Sequence, residues 1–467
     1  MEAPRSERIE QAPRSRRRRR GATRAVSRAV PHEKASLLQP DEETRRKQLV
    51  RAVVASAIGT TIEWYDFYLF GSAAALVLPR LFFSQLDPAT AAILSWVTFS
   101  VGFVGRPLGA AFFGHWGDRI GRKSLLVVTM VVMGVSTAAI GLVPSYASIG
   151  VWGAVILTSL RMLQGVAVGG EWSGSVLMAS EWAKPGRRGF TSSFPQMGSP
   201  LGLIIANSAL AVMASFQSES AFLAWGWRIP FLMSILLVGV GLYIRLGVLE
   251  SPVFANIKAR GKTVTVPVAL VLRENWREVA LTTLLRTGQL APYYITTTFI
   301  LSYGTQVLGL SRATLLNCVS IRAVAALLVI PIAGHLSDKY GRKRIVAIGC
   351  VGTGLWMFAL FGLMNTKVVA LIILGLVVDG LFQDLQYGPQ AAVIAENFPA
   401  SRRYTGSGLG YHLAAITAGG PAPLVATYLF ATFKTSFAIA AFGLATTLIS
   451  LAALPALKNR AGALDDN

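Results

Sequence analysis

Gly-His-Trp-Gly-Asp-Arg-Ile-Gly-Arg-Lys, residues Gly114 to Lys123, is a polar and basic segment that lies between two long apolar runs. A second segment, Gly334 to Lys343, reads Gly-His-Leu-Ser-Asp-Lys-Tyr-Gly-Arg-Lys and keeps the same length, the same first and last glycines, the same aspartate and the same ending. The copies are 220 residues apart in a chain of 467. A repeat at nearly half the chain length predicts two similar halves with the same set of helices.

The composition indicates a membrane protein. Hydrophobic residues make up 53% of the chain and charged residues only 14%. A soluble protein of this composition would have too little polar surface to cover itself. We therefore predict an all-α membrane protein.

The net charge of +21 would suggest nucleic-acid binding in a soluble protein, so its distribution matters. Thirty-five of the 44 lysines and arginines fall in the two tails and in alternate loops on one predicted side, and five fall on the other side. This asymmetry follows the positive-inside rule. It predicts a multi-pass protein with both termini cytoplasmic and no nucleic-acid partner. We expect the membrane to be a bacterial-type inner (plasma) membrane.

Twelve apolar segments approach or exceed the roughly 20 residues that a helix needs to cross the hydrocarbon. They are residues 51–79, 90–114, 124–143, 148–172, 189–215, 227–248, 277–303, 312–336, 344–364, 367–393, 404–430 and 434–457.

Five regions follow from these segments. They are a disordered basic tail (1–48), an N-terminal six-helix bundle (49–248), a cytoplasmic linker (249–276), a C-terminal six-helix bundle (277–457) and a short tail (458–467).

The repeated segment resembles the loops between helices 2 and 3 and between helices 8 and 9 of the major facilitator superfamily. Ile58 to Phe70 (Ile-Gly-Thr-Thr-Ile-Glu-Trp-Tyr-Asp-Phe-Tyr-Leu-Phe) and Arg161 to Glu171 (Arg-Met-Leu-Gln-Gly-Val-Ala-Val-Gly-Gly-Glu) are similar to the helix 1 and helix 4 signatures of its metabolite:proton symporters. The resemblance implies two pseudo-symmetric bundles, transport by alternating access and no enzymatic activity.

Ionisable residues inside the predicted helices require an explanation, because inserting each charge at bilayer depth costs at least about 2.5–3.5 kcal/mol of free energy. We expect proton coupling from the acids, which are Glu63, Asp66, Asp379 and Asp384. A rise of about 1.5 Å per residue places Glu63 about 18 Å and Arg106 about 15 Å from the cytoplasmic ends of their helices. A pair between them would offset much of the burial cost. A carboxyl group that loses such a partner can take up a proton and release it when the arginine returns.

The substrate is expected at basic and hydrogen-bonding groups that face the predicted cavity. These residues are Arg106, Arg161, Arg228, Tyr65, Gln164, Gln196 and Tyr294. The intramembrane arginines favour a small organic acid, such as a dicarboxylate or a shikimate-like acid. Two roles remain open for Arg286 and Arg322. Each either binds substrate or forms pairs that hold helices together.

The family resemblance also implies a conformational gate in the repeated segments. By resemblance, Asp118 meets the N-terminal end of helix 11 after Arg403, and Arg119 and Arg122 reach acids on adjacent helix ends. The candidate gate residues are Gly114, Asp118, Arg119, Gly121, Arg122, Asp338, Gly341 and Arg342.

Two other functions remain open from the sequence, a proton-independent facilitator similar to sugar porters and a membrane receptor on a transporter fold. For a symporter, a zwitterionic substrate such as betaine or proline also remains open, besides an organic acid. The four histidines lack metal-ligand spacing, and we find no nucleotide-binding motif. We therefore expect no metal and no cofactor beyond the proton gradient, and a monomer whose partners are the substrate, protons and the lipid bilayer.

Overall fold

The computed structural model describes residues 42–184, 186–250 and 267–458. Most of the predicted N-terminal tail, the centre of the linker and nearly all of the C-terminal tail lie outside these residues. Two described parts differ from the prediction. Residues 42–48 are helical and begin the first long helix, and Pro267–Glu274 of the linker forms a short helix.

Every regular element within the described ranges is a helix. We number the twelve long helices α1 (Glu42–Leu76), α2 (Pro88–Ile120), α3 (Arg122–Leu142), α4 (Trp152–Glu181), α5 (Arg188–Gln196 and Gly198–Ser215), α6 (Arg228–Leu246), α7 (Trp276–Tyr294, continued to Gln306), α8 (Arg312–Tyr340), α9 (Arg342–Asn365), α10 (Val369–Glu396), α11 (Arg403–Ala414, continued to Phe433) and α12 (Phe437–Ala453). The twelve-helix prediction is confirmed.

Nine of the described helical segments are long and apolar enough to cross a membrane, and α12 is a shorter apolar helix. Helices α1 and α7 are less apolar, because α1 carries eight charged residues and α7 combines three charged residues with several threonine and glutamine side chains. Large apolar side chains such as Leu236 and Leu328, each 69% exposed, cover the outside of the bundle. An apolar outer surface of this kind suits contact with lipid tails.

The repeated segment is mostly helical, which corrects the loop that the family resemblance implied. Residues 114–120 form the last two turns of α2, and residues 334–340 do the same in α8. Only Gly121 and Gly341 separate these helices from the next, with φ of 122° and 96°. Glycine has no Cβ and adopts these angles readily. We call the face of the molecule that carries these two glycines the motif side.

Glycines let α2 and α4 pack backbone to backbone, as expected from the small residues of the Arg161 to Glu171 segment. A Cβ added at Gly165 would lie 2.2 Å from the carbonyl oxygen of Gly102, and one added at Gly169 would lie 2.1 Å from that of Arg106. The C-terminal half repeats this contact between α8 and α10, where a Cβ at Gly388 would lie 2.5 Å from the carbonyl oxygen of Ile330. The first contact fixes the position of Arg106.

Candidate functional site

A small cavity inside the N-terminal half brings the main predicted residues together. Helices α1, α2, α3 and α4 line it with Glu63, Asp66, Phe67, Gly102, Arg106, Met133, Arg161, Gln164, Gly165 and Val168. The cavity volume open to water is about 10 Å³, which is close to the minimum for one water molecule. A metabolite therefore needs the cavity to widen.

Arg106 is 4% exposed and lies among aromatic rings. Its guanidinium carbon is 5.6 Å from the ring centroid of Trp64, 4.9 Å from that of Phe67 and 5.3 Å from that of Phe103. Cation–π contacts of this kind stabilise a desolvated guanidinium. Among the described residues no carboxylate forms an ion pair with Arg106, so the predicted Glu63–Arg106 pair is absent from this conformation.

Glu63 and Asp66 are both buried, at 1% and 2% exposure. Glu63 Oε2 and Asp66 Oδ1 have no hydrogen-bond partner within the described part of the chain. Glu63 therefore shares the cavity with Arg106 without being bonded to it. Uncompensated carboxyl oxygens at this depth are uncommon in structures and need a functional explanation.

Asp66 is linked to Arg161 through two intermediate side chains. The Thr137 hydroxyl donates to Asp66 Oδ2 at 2.6 Å, and Gln164 Nε2 donates to Thr137 Oγ1 at 2.6 Å. Arg161 Nη1 donates to Gln164 Oε1 at 3.1 Å. Three helices, α1, α3 and α4, are thus joined by one polar chain beside the cavity.

Three predicted substrate residues are held by other contacts and do not line the cavity. Tyr65 donates its hydroxyl to the carbonyl oxygen of Pro230 at 2.7 Å. Arg228 Nη1 donates to the carbonyl oxygens of Gly141 and Val143, at 2.7 Å and 2.8 Å, and so caps the end of α3. The Tyr294 ring packs on α2, 5.8 Å from the Phe103 ring.

Gln196 joins the two halves instead of lining the cavity. Its Oε1 accepts from Trp172 Nε1 at 2.7 Å, and its Nε2 donates to the carbonyl oxygen of Tyr387 at 3.2 Å. Gln196 thereby bridges α4 to α10 through α5.

The acids of α10 lie in a separate cluster of the C-terminal half. Gln383 donates to Asp379 Oδ2 at 2.6 Å and accepts from Arg322 Nη2 at 2.8 Å. Asp384 is 5% exposed on the same helix. The helix-joining interpretation of Arg322 is supported by this contact between α8 and α10.

Arg286 forms a further cluster at the interface between the halves. Its Nη1 donates to Gln390 Oε1 at 2.6 Å and to Gln289 Oε1 at 3.1 Å. Its guanidinium lies over the Tyr411 ring, 3.5 Å from the centroid. That ring stacks on Trp172 of the other half, also with 3.5 Å between centroids. No pattern in the sequence predicts this stack, because only packing brings α4, α7 and α11 together.

The side opposite the motif side is closed by hydroxyl groups from both halves. Tyr68 of α1 and Tyr293 of α7 are hydrogen-bonded to each other. Ser199 of α5 lies 3.2 Å from each of these two hydroxyl oxygens. The Arg322 guanidinium lies 5.3 Å from the Tyr293 ring centroid, so this closure adjoins the α8–α10 cluster.

The motif side is closed by two matching aspartates. Asp118 accepts hydrogen bonds from the backbone N–H groups of Tyr404 and Thr405, which confirms the predicted contact with the start of α11. Asp338 accepts the backbone N–H groups of Gly189 and Phe190 at the start of α5, both at 2.8 Å. Each aspartate thus caps the N-terminal end of a helix in the other half.

Arginine–glutamate ion pairs lie beside both closures, each within one half of the protein. Arg122 pairs with Glu181 at 3.0 Å, and Arg342 pairs with Glu396 at 2.7 Å. Arg119 reaches no acid within the described residues, so this part of the prediction is wrong. Its Nη1 lies 3.2 Å from His115 Nε2, and its guanidinium lies over Trp116 on the exposed side of α2.

Gly114 keeps its predicted place at the closure. A Cβ at this position would lie 2.7 Å from the Cα atom of Thr405. A larger residue would therefore separate α2 from α11.

A family model described as Major Facilitator Superfamily matches residues 56–409 and 305–464 of this chain. The inner membrane metabolite transport protein YhjE of Escherichia coli (strain K12) is 38% identical over 405 residues, which cover 84% of this chain and 90% of that protein. The shikimate transporter of the same organism is 37% identical over 418 residues, which cover 88% of this chain and 95% of that protein.

Among solved structures, the proton:xylose symporter XylE bound to 6-bromo-6-deoxy-D-glucose has a similar fold, with a TM-score of 0.72 and 18% sequence identity. The match covers 87% of this chain and 95% of that one.

Proposed function

The chain belongs to the major facilitator superfamily and is a metabolite transporter; from this premise we propose that it carries a small organic acid into the cell together with protons. The transport cycle alternates access to the central cavity from the two sides of the membrane. The observation that carries the proposal is a buried Arg106 that shares one cavity with two incompletely paired carboxyl groups.

The motif side corresponds to the cytoplasmic side in this proposal. The two tails and the alternate loops assigned to this side hold 35 of the 44 lysines and arginines, as the positive-inside rule requires. The relative YhjE is named an inner membrane protein, which agrees with an inner-membrane location here. Both termini then lie in the cytoplasm.

Arg106 is the proposed anchor for the carboxylate of the substrate. A guanidinium presents two parallel N–H donors that match a carboxylate. Three aromatic rings hold its position but leave the donors without a carboxylate partner among the described residues. The relative named as a shikimate transporter supports an acid as substrate. Arg161 and Gln164 line the same cavity and extend the polar surface.

Glu63 and Asp66 are the proposed proton carriers. A buried carboxyl group holds a proton when no cation pairs it, and it releases the proton when an arginine approaches. A substrate carboxylate and Glu63 would compete for Arg106, which couples the occupancy of the two sites. Asp379 and Asp384 remain secondary candidates, because their cluster is separate from the cavity.

The motif-side contacts are the proposed gate on the cytoplasmic side. They tie α2 to α11 and α8 to α5, so the cytoplasmic entrance opens only when these contacts break. The hydroxyl cluster of Tyr68, Ser199 and Tyr293 is the proposed barrier on the other side. Substrate passage requires the two barriers to open in turn.

Uptake into proteoliposomes tests the proposal. We expect an inwardly directed proton gradient to drive accumulation of a labelled organic acid, and a proton uncoupler to abolish it. Accumulation of betaine or proline, with no binding of acids, would contradict the proposed substrate class. If the acid only equilibrates across the membrane, and an uncoupler does not change its uptake, the protein is a facilitator and the proposed proton coupling is contradicted.

A further inference from the structure

His412 on α11 is a fully buried imidazole, with 0% exposure. Neither Nδ1 nor Nε2 has a hydrogen-bond partner within the described ranges. Burying a polar group without a partner costs free energy, so such a ring needs an explanation. Its two nearest aromatic neighbours are Tyr411, with 5.0 Å between ring centroids, and Trp172 of the other half, with 6.4 Å.

The register between α2 and α11 shows what His412 faces. The two helices are antiparallel, since Gly114 meets Thr405 and Gly408, one turn farther along α11, meets Ala110. Residues four apart lie on the same helix face. Continuing by one more turn on each helix brings His412 to the level of Arg106.

Two arginines flank His412 in this arrangement. Arg106 lies at its level on α2, and Arg286 lies over the ring of the adjacent Tyr411, 3.5 Å from the centroid. Arg286 is already engaged with Gln289, Gln390 and the Tyr411 ring. A carboxylate bound at Arg106 would therefore have His412 as its neighbour from the C-terminal half.

We propose that His412 binds a hydroxyl group of the substrate whose carboxylate is held by Arg106. This inference rests on the proposed function and narrows the substrate class to hydroxylated organic acids. The contact also gives the substrate one binding group from each half, so that its release depends on the relative position of the halves.

The chemistry of the ring selects a hydroxyl group. Histidine has an ordinary pKa of about 6.5, so a neutral imidazole with one N–H donor and one acceptor nitrogen is the relevant form for an assay at pH 7.5. A hydroxyl group is also both donor and acceptor, and it satisfies either nitrogen. A second carboxylate can bond only the N–H nitrogen and brings a charge that is costly to bury beside a neutral ring, whereas a neutral hydroxyl group can bond whichever nitrogen faces it.

This inference is tested by measuring competition binding to the purified full-length protein at pH 7.5. The competitors are pairs of acids in which one member has one or several hydroxyl groups that the other lacks. The probes are malate against succinate and quinate against cyclohexanecarboxylate. We expect the wild-type protein to prefer the hydroxylated acid by at least about tenfold in one of these pairs, because a site built to bond a hydroxyl rejects the analogue that lacks it. His412→Leu should reduce that preference to about twofold or less.

Two further variants separate binding from folding. His412→Asn keeps a donor and an acceptor and should retain part of the preference. His335→Leu removes an exposed histidine outside the cavity and should retain all of it. If the His412→Leu protein still binds acids with an unchanged preference, the role of His412 is overturned but the proposed function is not. Absence of acid binding to the wild-type protein would instead overturn the proposed function.

Discussion

Asp118 of α2 accepts hydrogen bonds from the backbone N–H groups of Tyr404 at 3.2 Å and Thr405 at 3.0 Å, and from the Thr405 hydroxyl at 2.9 Å. Asp118 is 2% exposed. One carboxylate of the N-terminal half thus caps the first turn of α11 in the C-terminal half. We propose that this contact exists only while the motif side is closed.

Asp118→Asn should favour the conformation that is open on the motif side. Asparagine removes the charge and turns one acceptor into a donor, which would face the backbone N–H groups of α11. A charge at a helix end contributes about 0.3–2 kcal/mol, which corresponds to a shift of up to roughly 30-fold in the conformational equilibrium. Distances between spin labels on the motif-side ends of the two halves should lengthen, and transport should slow while substrate affinity changes little.

Asp338→Asn is the matched variant, with a smaller expected effect. Asp338 accepts two backbone N–H groups but no hydroxyl group among the described contacts. Unchanged motif-side distances in Asp118→Asn, together with lost transport, would show that the repeated segment acts in folding or insertion and not as a gate.

Glu63→Gln and Asp66→Asn should each abolish proton-driven accumulation. The amides cannot bind and release a proton at these positions, but exchange of labelled for unlabelled substrate needs no net proton transfer and should continue. Glu43→Gln, at an exposed acid on the same helix, should accumulate substrate normally. Normal coupling in both cavity variants would remove α1 acids from the mechanism.

Arg106→Lys should weaken binding of an acidic substrate at least about tenfold, because an ammonium group cannot reproduce the bidentate donors of a guanidinium. Arg228→Lys should leave the affinity near the wild-type value, since Arg228 caps carbonyl groups of α3. Isothermal titration of the purified proteins measures both. Equal affinities of Arg106→Lys and the wild type would contradict the assignment of Arg106.

Gly165→Ala should destabilise the protein by about 1–3 kcal/mol, the usual cost of overpacking. The added methyl group would lie 2.2 Å from the carbonyl oxygen of Gly102 and would push α2 away from α4. Gly239→Ala is the control, because no described heavy atom lies within 4 Å of its new Cβ. Thermal unfolding in detergent should show a lower Tm for Gly165→Ala and a Tm for Gly239→Ala no lower than that of the wild type.

The amino-acid sequence by itself determined the helical architecture. Apolar runs long enough to cross a bilayer must form helices there, because the lipid offers no hydrogen-bond partners to the backbone. The repeat of Gly114 to Lys123 at Gly334 to Lys343 revealed the two halves. The cost of charge in a membrane singled out Glu63, Asp66, Arg106 and Arg161, and the structure places all four around one cavity.

Only the tertiary structure decided which of the polar residues meet. Arg228 and Tyr65 were predicted as substrate residues together with Arg106, but they bond backbone carbonyl groups elsewhere. His412 gave no signal because its importance depends on the antiparallel register of α2 and α11, residues about 300 apart in the chain. Helix formation follows from local periodicity and hydropathy, whereas contacts between helices depend on how side chains and glycines of distant segments fit together.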